Sequence, residues 1–153
     1  MKLRLIVVGK TEKGFVSEGM QHYLDRIGRK AQLETLVLPE AGRGEPVYQQ
    51  KVEADRILAA LRPGEKLVLL DERGKEFSSR GFAGHLQAWR DQGVKGTTFV
   101  IGGAYGMTDE LRARADLVLS LSRMTFPHQL VRVLFAEQLY RAYAIMEGSP
   151  YHH

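Results

Sequence analysis

The chain has 153 residues, of which 44% are hydrophobic, and this length and composition predict a single domain spanning residues 1–153. The absence of cysteine excludes disulfides and thiolate chemistry, and 22 basic against 18 acidic side chains permit an acidic partner such as RNA without requiring one. No apolar run approaches the roughly 20 residues that span a bilayer, and Met1 leads directly into Lys2-Leu3-Arg4, so we expect a cytoplasmic protein without a membrane segment.

Strand-like and helix-like patterns alternate along the chain and predict its fold class. Runs rich in Val, Ile and Leu predict strands, and apolar residues at helical spacing predict helices between them. In chain order the predicted elements are strand 3–8, helix 15–27, strand 33–38, helix 47–61, strand 66–70, helix 79–91, strand 98–101, helix 109–115, strand 117–121 and helix 128–146. This alternation is typical of an α/β fold with a mostly parallel sheet flanked by helices.

Two loops at predicted strand ends form the candidate binding site. The segment 102–106, Gly-Gly-Ala-Tyr-Gly, follows the fourth strand, and missing side chains there would let backbone amides approach a ligand. The segment 122–126 follows the fifth strand, before Pro127 opens the last helix. Ligands of open α/β sheets bind at such loops. The glycines match neither a Rossmann fingerprint nor a P-loop, and a turn that serves only chain reversal is the alternative.

The last helix carries candidate polar groups. His128 and Arg132 are four residues apart near its start, so they share a face and could meet a phosphate at the positive end of the helix dipole. A capping or packing role for His128 is the alternative. Glu137 and Arg141 have the spacing of a helix-stabilising ion pair. No histidine or carboxylate spacing matches a metal site, so we predict no metal.

The two ends of the chain suggest partners. The last helix is apolar around its circumference, so one side could face a second copy; we expect a homodimer, with a core helix in a monomer as the alternative. The first 30 residues carry the net positive charge of the chain, either for RNA or on a solvated helix face. The tail residues Tyr151 and His152 could stack on a base or move a proton if the tail folds back over a site.

Several segments together resemble one known family. They comprise both chain ends, the glycine segment, the loop before the last helix and much of that helix, and the similarity covers essentially the whole chain. The segments are 1–10, 102–106, 119–129, 132–133, 136–142 and 150–152. In combination they are similar to the bacterial ribosomal RNA large subunit methyltransferases H, a SPOUT-class family.

The resemblance implies a fold, a reaction and a cofactor site. The fold is a SPOUT-type α/β domain with a C-terminal trefoil knot, working as a homodimer. The reaction is transfer of a methyl group from S-adenosyl-L-methionine to N3 of a pseudouridine in the helix 69 stem-loop of 23S rRNA, on the assembled ribosome. The family's cofactor contacts correspond by position to Leu70, Gly102, Leu121, Ser122, Arg123, Met124, Thr125 and Phe126.

The acceptor N3 carries a weakly acidic proton that must leave as the methyl group is transferred. Our candidate groups for this step are His128, Tyr151 and His152, with Arg132 holding RNA phosphate or offsetting negative charge. In a dimer, the basic first helix of one subunit would lie near the active site of the other. Two alternatives are a methyltransferase for another RNA, such as a tRNA, and a ribosome-associated RNA-binding protein without catalysis.

Overall fold

The computed structural model describes all 153 residues, in which strands and helices alternate. The strands are β1 (Lys2–Val8), β2 (Leu33–Leu38), β3 (Lys66–Glu76), β4 (Gly96–Ile101) and β5 (Leu117–Ser120). The helices are α1 (Phe15–Gly28), α2 (Pro46–Ala60), α3 (Ser79–Asp91), α4 (Asp109–Arg114) and α5 (His128–Met146). The predicted α/β class is confirmed, and every predicted element is present. None of the helices combines the length and apolar character that crossing a membrane requires.

The five strands form one parallel sheet in the order β2-β1-β4-β3-β5. Leu5 of β1 lies opposite Thr35 of β2 on one side and Phe99 of β4 on the other. In a parallel sheet the carboxyl ends of all strands lie at the same edge. Because β4, β3 and β5 are neighbours, the loops that follow them converge at that edge, where ligands of such sheets bind.

Helices cover both faces of the sheet, as side-chain alternation along β1 shows. Leu5 points into a core cluster that it shares with α1, α3 and α5, whereas Ile6 points into a second cluster shared with α2 and α4. Both side chains are completely buried. A strand buried on both faces explains why β1 is an almost continuous apolar run rather than an alternating one.

Strand β3 is longer than predicted, and the difference shapes the edge of the sheet. It pairs with β5 up to Leu70 and again at Lys75 and Glu76, so residues 71–74 leave the ladder between the two paired parts. A Cβ atom at Gly74 would lie only 2.4 Å from the carbonyl oxygen of Val118 in β5. Lys75 and Glu76, which a local pattern places in a loop, therefore stay extended because β5 supplies a partner. The predicted knot in this half of the chain stays a prediction.

Candidate active site

A cavity of about 650 Å³ lies at the carboxyl ends of β3, β4 and β5. This volume is within the range of small-molecule sites in proteins. Its walls are residues 70–73 of β3, around the point where that strand leaves its ladder with β5, the glycine turn after β4 (residues 102–106) and the loop that joins β5 to α5. About half of its lining residues are hydrophobic, and the polar remainder includes Asp71, Arg73, Arg112 and His128. The two loops selected from the sequence are thus brought to one site.

The glycine turn forms one wall of the cavity. Gly106 N donates to Gly103 O at 3.1 Å, and Gly106 has φ +79°, a conformation that favours glycine. A Cβ atom at Gly102 would lie 3.2 Å from Met107 Cε, so this position has little room for a side chain. The turn therefore exposes backbone to the cavity at its three glycines, while Ala104 and Tyr105 contribute side chains.

The loop between β5 and α5 forms the opposite wall. Ser122 shapes it, because its carbonyl oxygen accepts a hydrogen bond from Ser120 Oγ at 2.8 Å and its Oγ accepts one from Met124 N at 3.0 Å. Thr125 Oγ1 donates to Glu72 Oε2, which ties the loop to the unpaired middle part of β3. The side chain of Met124 is exposed at the edge of the cavity.

Asp71 and Arg112 form an ion pair in the cavity wall. Arg112 Nε donates to Asp71 Oδ2 at 2.8 Å, and the Arg73 amide donates to Asp71 Oδ1 at 2.9 Å. Burial by itself raises the pKa of Asp71, but these hydrogen bonds and the charge of Arg112 outweigh it and hold the pKa below its ordinary value. The cavity therefore contains a carboxylate that is ionised at neutral pH and balanced by a guanidinium.

His128 is the one predicted proton-transfer group that lines the cavity. It is the first residue of α5 and is partly exposed, directly after Pro127.

Arg132 lies one turn further along α5 and is outside the cavity. It is completely buried, and its guanidinium donates to Val8 O at 2.7 Å, to Gly9 O at 3.0 Å and to Thr11 Oγ1 at 3.0 Å. A guanidinium enclosed in this way cannot contact RNA phosphate, so the expectation for Arg132 is corrected to a structural role. The spacing of four residues between His128 and Arg132 correctly placed both on one helix. It could not reveal that the end of β1 and the segment after it cover the Arg132 side chain.

The tail folds back onto the C-terminal half of α5, away from the cavity. The Tyr151 ring packs edge-on against Tyr140 with centroids 4.7 Å apart, and its hydroxyl donates to Glu137 Oε1 at 3.3 Å. His152 Nδ1 lies 3.0 Å from Arg141 Nη1. The predicted ion pair between Glu137 and Arg141 is confirmed at 2.7 Å. Because Glu137 and Arg141 are 9 and 13 residues from the start of α5, the tail contacts lie about 14 and about 20 Å along the helix axis from the cavity end.

The two tail side chains have different protonation states. Burial, together with a hydrogen bond to Tyr23, raises the pKa of Tyr151 to about 12, so its phenol is protonated at neutral pH. Burial and the nearby Arg80 and Arg141 lower the pKa of His152, which keeps its ring neutral. A protonated phenol is a hydrogen-bond donor and not a base, whereas a neutral imidazole can accept a proton.

Seven of the eight predicted cofactor residues line the cavity, and Arg123 does not. The Arg123 side chain is 91% exposed and points outward to Glu76, with Nε 3.0 Å from Oε1. Four charged lining residues were not selected from the sequence: Asp71, Glu72, Arg73 and Arg112. The charged run directly after the third predicted strand was a signal for Asp71, but nothing in the pattern around Arg112 indicated that α4 lies beside β3.

The fold and the cavity define the class to which this protein belongs. Its parallel α/β sheet places a small-molecule cavity at the carboxyl ends of adjacent strands, as ligand-binding α/β domains do. The profile of the family described as "Predicted SPOUT methyltransferase" matches residues 1–152. The chain therefore belongs to the SPOUT methyltransferase family.

Individual relatives agree with this assignment. The chain is 44% identical to the ribosomal RNA large subunit methyltransferase H of Geobacter sp. (strain M21), over 100% of this chain and 99% of that protein. It is also 44% identical to the protein of the same name from Geotalea daltonii, over the full length of both. Among solved structures, a proposed methyltransferase of Legionella pneumophila with bound SAM has a TM-score of 0.51 and 12% identity. That match covers 95% of this chain and 66% of the other, and it supports the fold.

Proposed function

We propose that this protein uses S-adenosyl-L-methionine to methylate N3 of a pseudouridine in the helix 69 stem-loop of 23S rRNA, on the assembled ribosome in the cytoplasm. The observation that carries the proposal is the cavity at the ends of β3, β4 and β5, which collects seven of the eight residues that the family resemblance associates with this cofactor. The name shared by the full-length relatives supports the same reaction and substrate.

The cavity walls fit this cofactor chemically. Leu70, Leu121 and Phe126 supply apolar cover, while Gly102 and Gly103 leave backbone groups accessible for the polar edges of adenine and ribose. S-adenosyl-L-methionine supplies a methyl group that is already activated as part of a sulfonium. The protein's main task is consequently to hold the acceptor in line with that group, and a rigid cavity between three strand ends suits this task.

The mouth of the cavity fits an RNA base and its backbone. Tyr105 is 49% exposed and Met124 73% exposed at the cavity edge, so both present apolar surface on which a base can stack. Arg73 also lines the cavity, and its side chain is 68% exposed. We assign the phosphate contact to Arg73, since Arg132 is buried. His128 is the group in the same cavity that would accept the N3 proton as the new bond forms.

We further propose that the protein acts as a homodimer. A second, apolar hollow of about 410 Å³ lies against α5 and is lined by Val133 and Leu134, which are only partly buried within one chain. The tail with His152 is distant from the cavity of its own chain. In a dimer, the tail and the basic first helix of one subunit could therefore serve the cavity of the other, which gives the tail residues a role that a single chain does not.

A calorimetric titration with S-adenosyl-L-methionine tests the cofactor assignment. The wild type is expected to bind, and Gly102→Val to bind at least about tenfold more weakly, because the added side chain crowds Met107 at the cavity wall. The matched control is Gly84→Val in α3, where a Cβ atom has no neighbour within 4 Å; its affinity is expected to equal that of the wild type. Absence of binding by the wild type would contradict the assignment.

The substrate is tested with ribosomes from a strain that lacks the gene. Incubation with the protein and cofactor, followed by mass spectrometry of RNA fragments, is expected to show one new methyl group on the helix 69 pseudouridine. Methylation found instead in a tRNA would replace the substrate, and binding without any methylation would favour the non-catalytic alternative. Unchanged methylation by His128→Ala would remove His128 as the proton acceptor.

A further inference from the structure

Behind the glycine turn lies a buried acidic side chain that the proposed reaction does not use. Glu53 of α2 is 6% exposed, and no lysine or arginine lies within ion-pair distance of it. Its carboxylate accepts a hydrogen bond from Ala41 N at 3.2 Å. Removing a carboxylate from water without a cation costs free energy, so Glu53 needs a role that explains its burial.

The other oxygen of this carboxylate lies against the glycine turn. A Cβ atom at Gly103 would be 2.9 Å from Glu53 Oε1, which is closer than such atoms pack in proteins. Gly103 has no positive φ, so its backbone does not require glycine. A side chain at residue 103 would therefore have to displace the Glu53 carboxylate.

A second side chain on the same face of α2 holds the far part of the turn. Gln50 is one helical turn before Glu53, and its Nε2 donates to Tyr105 O. Helix α2 is itself anchored to the sheet, because Ala54 and Ile57 are buried in the cluster that contains Met107, just after the turn. The glycine turn is thus fixed from behind by a rigid element and not only by its own hydrogen bond.

We propose that Glu53 and Gln50 are positioning residues that set the shape of the glycine turn for cofactor binding. This inference rests on the proposed function, because the turn is one wall of the cofactor cavity. Neither side chain lines the cavity, so both act through the backbone of residues 103–105. The bond from Ala41 to Glu53 also joins the segment before α2 to this support.

The test is a double-mutant cycle on the affinity for S-adenosyl-L-methionine, measured by calorimetry. Glu53→Ala is expected to weaken binding at least about tenfold, and Gly103→Ala to weaken it similarly by displacing the carboxylate. In the Glu53→Ala background the methyl group added by Gly103→Ala has free space. There, Gly103→Ala is expected to lower the affinity for S-adenosyl-L-methionine by less than about twofold. Glu53→Gln keeps an acceptor for Ala41 and is expected to restore most of the affinity. Asp55→Ala, which removes an exposed carboxylate on the same helix, is the matched control.

A second readout needs no cofactor. Hydrogen exchange of the amides of residues 103–106 is expected to accelerate in Glu53→Ala and Gln50→Ala, while the amides of β4 keep their protection. Equal affinity of wild type and Glu53→Ala, or the same effect of Gly103→Ala in both backgrounds, would overturn the inference. If Glu53→Ala does not fold, Gln50→Ala carries the test alone, and unchanged affinity there would be decisive. Failure of the wild type to bind would instead contradict the proposed function.

Discussion

Replacing Gly74 with alanine tests the backbone contact between the extended part of β3 and β5. The new Cβ atom would lie 2.4 Å from Val118 O, 2.6 Å from Val118 C and 2.9 Å from Leu119 N. Carbon and carbonyl oxygen normally approach no closer than about 3.3 Å, so the two backbones must separate by about 1 Å. All three neighbouring atoms belong to the backbone of the paired strand β5, so none can rotate away.

We expect this substitution to lower the free energy of unfolding by about 3 kcal/mol, near the upper end for overpacked sites. With a urea dependence of about 2 kcal/mol per molar, the unfolding midpoint would fall by about 1.5 M. The affinity for S-adenosyl-L-methionine is expected to fall as well, because a displaced β5 moves the loop that follows it.

The matched control is Gly84→Ala, which adds the same methyl group where a Cβ atom has no neighbour within 4 Å. Gly84 lies inside α3, so alanine there is expected to raise the free energy of unfolding by about 0.5–1 kcal/mol. Equal unfolding midpoints of Gly74→Ala and the wild type would refute the close contact, and with it the idea that β5 holds the charged segment extended.

Three further predictions concern the charged groups. Because the folded-state pKa of Asp71 lies below its ordinary value of 3.8, its contribution to stability is complete above that value and is lost as the pH falls through the lower, folded pKa. Thermal unfolding between about pH 2 and 6 is expected to show this loss for the wild type and not for Asp71→Asn. Arg132→Ala is expected to lower the free energy of unfolding by about 3 kcal/mol in urea titrations, since it leaves buried carbonyl groups without donors; a stable variant with weakened RNA binding alone would contradict the structural role. Arg123→Ala is expected to keep wild-type affinity for S-adenosyl-L-methionine within about twofold in calorimetry, whereas Leu121→Ala weakens it at least about fivefold; the reverse order would place Arg123 in the cavity.

Most of the fold could be predicted because the spacing of apolar residues within each segment indicates a helix or a strand. Helix α5 has the bounds that its apolar pattern indicates, from His128 to Met146. Strand β3 was predicted too short, since Lys75 and Glu76 are extended only through their pairing with β5, a contact between residues more than 40 positions apart. Local periodicity carries no information about such a partner.

The candidate site was also predicted only in part: its loops were identified, but the directions of several side chains were not. The rule that ligands bind at strand ends selected both loops that line the cavity. It could not tell that Met124 lies at the cavity edge while the adjacent Arg123 points outward, because an irregular loop has no repeat from which side-chain direction follows. Nor could it show that Arg132 is covered by the end of β1. These outcomes depend on contacts between distant parts of the chain, which a sequence pattern does not contain.

Strand β1 and the segment after it have partners that lie far away along the chain. Leu5 pairs with Phe99, and the amide of Glu12 bonds to Gln129, 117 residues further on. Contacts between such distant residues slow folding, because a long loop must close before they contribute any stability. The face of β1 that carries Leu5 therefore gains its contacts with α5 only after that loop has closed. Since that helix also begins at the cavity with His128, closing this one long loop completes both the core and a wall of the cavity.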